Sequence, residues 1–399
     1  MQNFPYWAAW WWGPHRHCGR LVIQFLEDIP LSISTTGRSS AMRISRRFVL
    51  TAALGTTALG AGTLASPARA AGAHLIETGS SLLYPLFNLW IPDYTKMHQG
   101  LQITPQSTGS GTGISQAIDG TAQLGASDAY LSNALAKQHA SMLNIPLAIS
   151  SQMINYNLPG MNNDHLKLSG PVLAEIYQGK ITEWNDAAIK KLNPGVNLPS
   201  NKIVTIHRTD GSGDTFIFTQ YLSASTPDWQ KSLGYGTTIS WPPAQGSIGA
   251  EGNPGMVNAL KNNPYSIAYV GISFKKAITD NQLGEAALEN QAGKFVMATA
   301  DTVNAAAGEF SGKTPADERI SLIFAPGANS YPIINYEYAI VNAQQANADT
   351  ATELKNFLSW TISPDGGNTT KYLDQVGFVA LPAAVQKLSE AQIAKIGAK

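Results

Sequence analysis

Cysteine is all but missing from this chain: Cys18 is the single one among 399 residues. An internal disulfide and a Cys-rich zinc site are thereby excluded. Charge is sparse too. Lys, Arg, Asp and Glu make up 14% of the residues, and 27 basic side chains balance 27 acidic ones. No bulk field draws the chain toward nucleic acid, and no basic stripe is present to track a phosphate backbone. Long uncharged apolar runs, internal repeats and low-complexity tracts are also lacking, which argues against a polytopic membrane protein, a solenoid and a disordered chain. What is there, 44% hydrophobic residues and 36 glycines, is ordinary globular composition, and the length allows two domains.

The average hides unlike parts. Trp7, Trp10, Trp11 and Trp12 crowd the start, and residues 1–41 show no clear period; they are read as an upstream segment outside the fold. From Met42 the sequence runs Met-Arg-Ile-Ser-Arg-Arg-Phe-Val-Leu, then a weakly apolar Ala/Gly/Thr/Leu stretch, then Ala68-Arg69-Ala70. A basic start, a short apolar middle and an A-x-A end make residues 42–70 an export signal cleaved near Ala70. Arg46-Arg47 and the glycine-rich middle resemble the twin-arginine type, and the stretch is too weakly apolar for a good membrane span. Without residues 1–70 the chain keeps 20 basic and 25 acidic groups, a net charge of −5, and no cysteine. Such a product needs no disulfide and has no lipid-attachable thiol at its start, so a free periplasmic protein is expected.

Short apolar runs alternate with amphipathic segments, the pattern of an α/β protein. The periodicity predicts strands over 74–77, 101–107, 124–126 and 202–207, with long extended runs over 145–158 and 331–341. Helices are predicted over 81–98, 113–118, 171–178, 186–192, 214–222, 348–360 and 384–396.

Three Gly/Ser turns stand where a strand feeds a helix: Thr78-Gly79-Ser80-Ser81-Leu82, Thr108-Gly109-Ser110-Gly111-Thr112-Gly113 and Arg208-Thr209-Asp210-Gly211-Ser212-Gly213-Asp214-Thr215. A helix start offers unpaired N–H groups and a positive dipole end, glycine lets the backbone approach a ligand, and serine adds a neutral donor. One such turn is more often a simple cap; three together point to an oxyanion. Arg208 can fork onto that anion, with Asp210 holding the guanidinium in place. Asp128, in Gly125-Ala126-Ser127-Asp128-Ala129, is out of keeping among anion donors unless the ligand itself carries a proton. Monohydrogen phosphate can donate to Asp128; sulfate has nothing to donate, and an unpaired buried acceptor costs about 1–3 kcal/mol or more.

Beyond these turns, Ile176-Tyr177-Gln178-Gly179-Lys180-Ile181 with Trp184, Leu192-Asn193-Pro194-Gly195 and Trp241-Pro242 complete a pattern that resembles the PstS family, the periplasmic phosphate-binding proteins of the high-affinity bacterial phosphate ABC transporter. The resemblance spans about residues 74–390. It implies a two-lobed periplasmic-binding-protein fold of type II, with two α/β lobes joined by two hinge crossings and the ligand in the cleft. Lobe 1 is then 71–157 plus 330–399 and lobe 2 is 158–329, with crossings near Tyr156 and Tyr336. It also implies a function: capture of inorganic phosphate and its delivery to an inner-membrane permease with a cytoplasmic ATPase. No cofactor, metal, nucleic acid or catalysis is implied, and a monomer is expected.

Carried across at matching positions, the phosphate ligands fall on Ser81, the N–H of Leu82, Ser110, Asp128, Arg208, Ser212, Gly213 and Asp214, with Asp210 orienting the arginine. Two positions depart from the family pattern. Leu82 replaces an aromatic residue known in some members, which is harmless where only its N–H is used. Asp214 replaces a threonine hydroxyl that often donates; its carboxylate is read as turning back onto helix N–H groups in preference to direct ligation.

A phosphatase would need an activated nucleophile or a metal pair. His74, His98, His139, His165 and His207 show no H-x-H or H-E-x-x-H spacing, and strand alternation points His207 away from Arg208's side. Gly308 to Gly312-Lys313-Thr314 is one residue short of a P-loop and reads as a surface loop. A sulfate or molybdate binder wastes Asp128, while arsenate, protonated at neutral pH, stays open. A surface adhesin or scavenger on the same lobes would lack a permease partner. Trp90, Trp184, Trp229, Trp241 and Trp360 are spread singly and read as core, not as a sugar platform.

Overall fold

Strands and helices alternate as the apolar periodicity requires in a computed structural model that describes residues 73–399 apart from Gln245 and Ser311. The upstream segment and the export signal lie outside the described residues. Nine strands make the main sheet: β1 (His74–Gly79), β2 (Gln102–Ser107), β3 (Leu124–Ser127), β4 (Met142–Asn157), β5 (Val204–Arg208), β6 (Ile248–Ala250), β7 (Ser266–Gly271), β8 (Gly284–Glu285) and β9 (Ile334–Asn342).

β4 joins two half-sheets. Its residues 142–151 pair antiparallel with β9, and its residues 152–157 pair antiparallel with β7. One half runs β2-β1-β3-β9-β4, and the other runs β6-β5-β7-β4 with β8 on the far edge of β4. In each half the first three strands are parallel and the fourth, antiparallel, arrives from the other half. The same topology is thus built twice without a sequence repeat, and the result is the two-lobed α/β fold. The chain passes between the halves at residues 151–152 and just before Ile334, where Gln152 N–H donates to Ile333 O at 3.1 Å.

Apolar side chains from both halves form one core cluster. Trp90, Trp184 and Trp229 are fully buried, and Trp241 and Trp360 pack partly buried against the same core. Full burial of side chains such as Phe87 and Phe218 contributes about 1.5–3 kcal/mol each.

Among the element ends that differ from the periodicity, three have clear local reasons. The first helix is Tyr84–Met97 and not 81–98, because Ser80 Oγ accepts the N–H groups of Leu82 and Leu83, both at 3.1 Å, and holds residues 80–83 as a turn. The second begins at Ser110, ahead of the predicted 113, because Gly109 takes φ +87° at its N-cap, a conformation glycine adopts without strain. The last ends at Ile393, since the chain turns back to pair Gly397–Ala398 with Gln344–Gln345. Gly308 closes a helix, Ala300–Gly308, and Gly312 and Lys313 are exposed in a turn; a Cβ at either glycine would meet nothing within 4 Å. No described helix is long and apolar enough to cross a membrane.

Candidate functional site

In both halves the parallel strands end toward the same seam. β1 ends at Gly79, β2 at Ser107, β3 at Ser127, β5 at Arg208, β6 at Ala250 and β7 at Gly271, and helices Ser110–Asp119, Gly213–Ser225 and Gly252–Asn262 start just beyond. Ligands of open α/β sheets sit outside the carboxyl ends of the strands, and the starts of helices Ser110–Asp119 and Gly213–Ser225 bring backbone N–H groups there, whereas at helix Gly252–Asn262 the Gly252 and Asn253 N–H groups are taken by Asp210 and Ser81. Gly79 is required in the first turn: it has φ +141°, and a Cβ would overlap Ala126 O.

Arg208 is fixed at both ends. Its N–H donates to Tyr269 Oη at 2.9 Å, and Tyr269 is itself stacked on Phe218, with ring centres 4.6 Å apart. The guanidinium donates from Nε to Asp210 Oδ1 at 2.7 Å, from Nη2 to Asp210 Oδ2, and from Nη1 to Asp214 Oδ2 at 2.6 Å. Guanidinium has five N–H donors; these contacts use three and leave two for a ligand.

Asp214 overturns its expected role. Besides Arg208, its carboxylate accepts Asn253 Nδ2 at 2.7 Å and Gln152 Nε2 at 3.0 Å, so it clamps the arginine and does not turn back onto its own helix. Ser212 caps that helix, its Oγ accepting Thr215 N–H at 3.1 Å.

The two halves meet over these groups. Gly111 N–H donates to Gly211 O at 2.8 Å, and Asp210 also accepts Gly252 N–H at 3.2 Å. Ser110 Oγ donates to Asp128 Oδ2 at 3.3 Å and accepts Asp128 N–H at 3.2 Å. Gly213 lies against this pair: a Cβ there would stand 2.5 Å from Ser110 Oγ and 2.6 Å from Asp128 Cβ. Leu82 is fully buried against Gly271.

Ser110, Asp128, Arg208, Asp210, Gly213 and Asp214 are therefore drawn together. Ser81 faces a neighbouring position, its Oγ accepting Asn253 N–H and Nδ2, both at 3.0 Å. The hydroxyl donated to Asp128 Oδ1 comes from Ser80. Sequence reasoning passed over Ser80, Gln152, Asn253 and Glu337. Gly252-Asn253-Pro254-Gly255 after a strand was the available sign of Asn253, but it reads as an ordinary turn; Gln152 and Glu337 sit in extended runs with nothing to mark them.

The electrostatics follow from burial. Asp128 is 2% exposed, and burial, then the charge of Asp214, push its carboxyl up to about 7 against the pull of Glu337, Ser80 and Arg208. Burial likewise raises Asp214 against the pull of Arg208. For Arg208, burial favours the neutral form, but Asp210 and Asp214 outweigh it and keep the guanidinium charged. Asp210 resists burial in the same way and is held below its usual range by Arg208. His207 contacts Ser247 Oγ through Nδ1 at 3.0 Å and is lowered by burial; it takes no part in the cluster. A cavity of about 440 Å³ beside the seam is lined by Gly111, Ile114, Tyr130, Phe216 and Tyr235 among others. Its walls are mainly apolar, unlike the polar cluster around Asp128 and Arg208. Among the described residues no group of three or more His, Cys, Asp or Glu could hold a metal ion.

Comparison with known proteins bears on the family and the fold. A family model described as a PBP superfamily domain matches residues 64–365. The phosphate-binding protein PstS of Pasteurella multocida is 36% identical over 314 residues, covering 79% of this chain and 88% of that protein. That of Methanocaldococcus jannaschii is 34% identical over 329 residues, covering 78% and 83%. Among solved structures, a high-affinity periplasmic phosphate-binding protein bound with phosphate aligns with a TM-score of 0.64 at 21% identity, over 80% of this chain and 93% of that one; at that identity the likeness concerns the fold.

Proposed function

Since this chain belongs to the PstS family of phosphate-binding proteins, we propose that it captures monohydrogen phosphate in the cleft between its two lobes and delivers it to an ABC-type phosphate importer. The observation that carries this reading is the convergence of Arg208, with two N–H donors left over, and the starts of helices Ser110–Asp119 and Gly213–Ser225 on the buried carboxylate of Asp128. The donors form a shell for oxygen, and Asp128 is the acceptor for the one hydrogen of the dianion.

Ser110, Asp128 and the first turn, with Ser81, Leu82 N–H and the neighbouring Ser80, belong to lobe 1, which the chain leaves at residues 151–152 and rejoins at Ile334. Arg208, Ser212, Gly213 and Asp214 belong to lobe 2 between those crossings, with Asp210 orienting the arginine. Phosphate is directly held by Ser110, Asp128, Arg208 and the N–H groups around Ser212 and Gly213; Asp214 acts through Arg208. Because the ligand shell comes from both lobes, phosphate favours the closed state and couples binding to hinge closure. The protein acts as a binding protein without catalysis or a cofactor, exported to the periplasm, monomeric, and read in its closed form by a membrane permease coupled to a cytoplasmic ATPase.

Calorimetric titration with phosphate, sulfate and arsenate across pH tests this. Heat with phosphate but none with sulfate, lost in Arg208→Ala, is expected. Equal affinity for sulfate and phosphate at pH 8 would remove the role given to Asp128.

A further inference from the structure

We propose that Glu337 is a positioning residue for the oxyanion site, holding the proton of a shared Asp128–Glu337 acid pair so that Asp128 faces the cleft as a fixed acceptor. This deepens the phosphate reading and rests on it. β9 pairs antiparallel with β3, Tyr338 opposite Ser127, and this register sets Glu337 beside Asp128, the first residue past β3. Both side chains are withdrawn from water, Glu337 at 0% and Asp128 at 2% exposure, and their carboxyl groups are in hydrogen-bond contact. Two carboxylates in contact repel unless a proton lies between them.

A count of hydrogens around Glu337 leads to the same place. Ser150 has one hydroxyl hydrogen but two acceptors, Glu337 Oε1 at 2.5 Å and Asn335 Oδ1 at 2.9 Å. The Asn335 amide has two hydrogens but three acceptors: Tyr336 O at 2.8 Å, Glu337 Oε1 at 3.1 Å and Asp128 O at 3.2 Å. Glu337 Oε2 receives no donor at all. The neighbouring donors are oversubscribed and none is left over for Oε2, so Oε2 is the place where a further proton can sit and be given to Asp128.

No cation stands among Glu337's partners; Ser150 and Asn335 are neutral. The charged groups that face the pair lie across the seam, Arg208 and Asp214, with Asp210 beyond Arg208. Burial, then the charge of Asp128, push the Glu337 carboxyl well above its usual range. The protonated Glu337 then does for Asp128 what a backbone N–H does for other carboxylates: it donates from behind, lowers the cost of the Asp128 charge and fixes which way its oxygens point. Ser80 and Ser110 hold the same carboxylate from the sides. The proton stays on Glu337 when phosphate binds; the ligand keeps its own.

The test has two arms on the full chain. In the first, glutamate labelled with ¹³C at the carboxyl carbon is followed by NMR from pH 5 to pH 8 without phosphate. A protonated-carboxyl resonance that persists at pH 7 and disappears in Glu337→Gln is expected; a Glu337 resonance titrating like an exposed glutamate overturns the proposal. In the second, phosphate affinity is measured against pH by calorimetry. Glu337→Leu withdraws the donor, so Asp128 ionises only at higher pH: affinity at pH 7 falls tenfold or more and recovers by pH 9. The conservative Glu337→Gln, whose amide still donates, restores the parent profile. A loss in Glu337→Leu that is equal at every pH overturns the proposal as a merely structural effect. If the parent protein gives no phosphate heat, the functional reading fails, and the NMR arm decides the shared proton independently.

Discussion

Gly213 offers the sharpest perturbation. It is the first residue of helix Gly213–Ser225, so alanine is acceptable to its own backbone and favoured by helix propensity. Across the cleft, however, the new methyl would stand 2.5 Å from Ser110 Oγ and 2.6 Å from Asp128 Cβ, and closer still to Asp128 Oδ2. Comfortable separation is roughly 3.5–4.0 Å, so the two faces must part by about 1 Å. The carboxylate cannot swing away, because Ser80, Ser110 and Glu337 hold it. Overpacking of this kind costs about 1–3 kcal/mol, and here the cost falls on the closed state alone. Gly213→Ala should therefore bind phosphate roughly 5- to 150-fold more weakly at 1.36 kcal/mol per decade, while the free protein melts at or slightly above the parent temperature. Calorimetry gives the affinity, thermal unfolding the stability, and small-angle scattering the closure on adding phosphate. Gly308→Ala, where a Cβ would meet nothing within 4 Å, is the control. Parent-like phosphate affinity in Gly213→Ala would refute the idea that Gly213 and Asp128 close on each other around the ligand.

Asp128→Asn should raise the stability of the ligand-free protein at pH 8. The folded carboxyl titrates near 7 against an ordinary 3.8, so its favourable contribution is complete below about pH 4 and is lost as pH rises through about 7. At 1.36 kcal/mol per pH unit the gain is at most about 4 kcal/mol, and equal melting temperatures at pH 8 would contradict it. Asp214→Asn removes the charge that helps hold Asp128 up, so the acidic limb of the phosphate-affinity profile should move to lower pH; an unmoved limb on calorimetric titration refutes this. Arg208→Lys keeps the charge but loses the fork that serves Asp210, Asp214 and the ligand together, and phosphate affinity by calorimetry should fall about 30-fold or more, from two charge-assisted hydrogen bonds at roughly 1.5–3 kcal/mol each less what an ammonium recovers. A loss below threefold would show that the fork is not used.

The sequence exposed the parts of the site that depend on backbone chemistry. Gly79, Gly109, Ser110, Ser212 and Gly213 declare themselves because a strand-to-helix turn needs glycine freedom and a cap, and Arg208 and Asp210 are two residues apart in one such turn. Asp128 was found by its misfit among donors. The fold class was legible in the apolar periodicity, but the doubled topology was not, because the polar Ser150-Ser151-Gln152 step where β4 changes partners does not by itself distinguish a crossing from a continuous strand. What stayed hidden is what segments distant in sequence supply. Gln152 and Asn253 reach Asp214 from 62 and 39 residues away, and Glu337 meets Asp128 through strand register; none of these separations leaves a local trace. Ser80 and Ser81 are adjacent, and which hydroxyl turns to Asp128 is decided by the turn that Leu82 and Leu83 N–H groups impose on Ser80.

The charge balance of the cluster decides where its affinity comes from. Arg208 is already shared by two acids, Asp210 and Asp214, so with Asp128 ionised the pocket carries an excess of negative charge before any dianion enters. Opposite net charge cannot be the main attraction. The favourable terms left are directional: the spare guanidinium hydrogens, the serine hydroxyls, and the N–H groups at the starts of helices Ser110–Asp119 and Gly213–Ser225, whose dipoles point into the seam. Such groups act at short range and only when correctly aimed. The doubled topology aims them, since each half ends its parallel strands at the seam and begins its helices there. An excess of buried acid is then tolerable, because the same acids, Asp210 and Asp214, hold the one cation still, and Asp128 is the feature that a ligand without a hydrogen cannot satisfy.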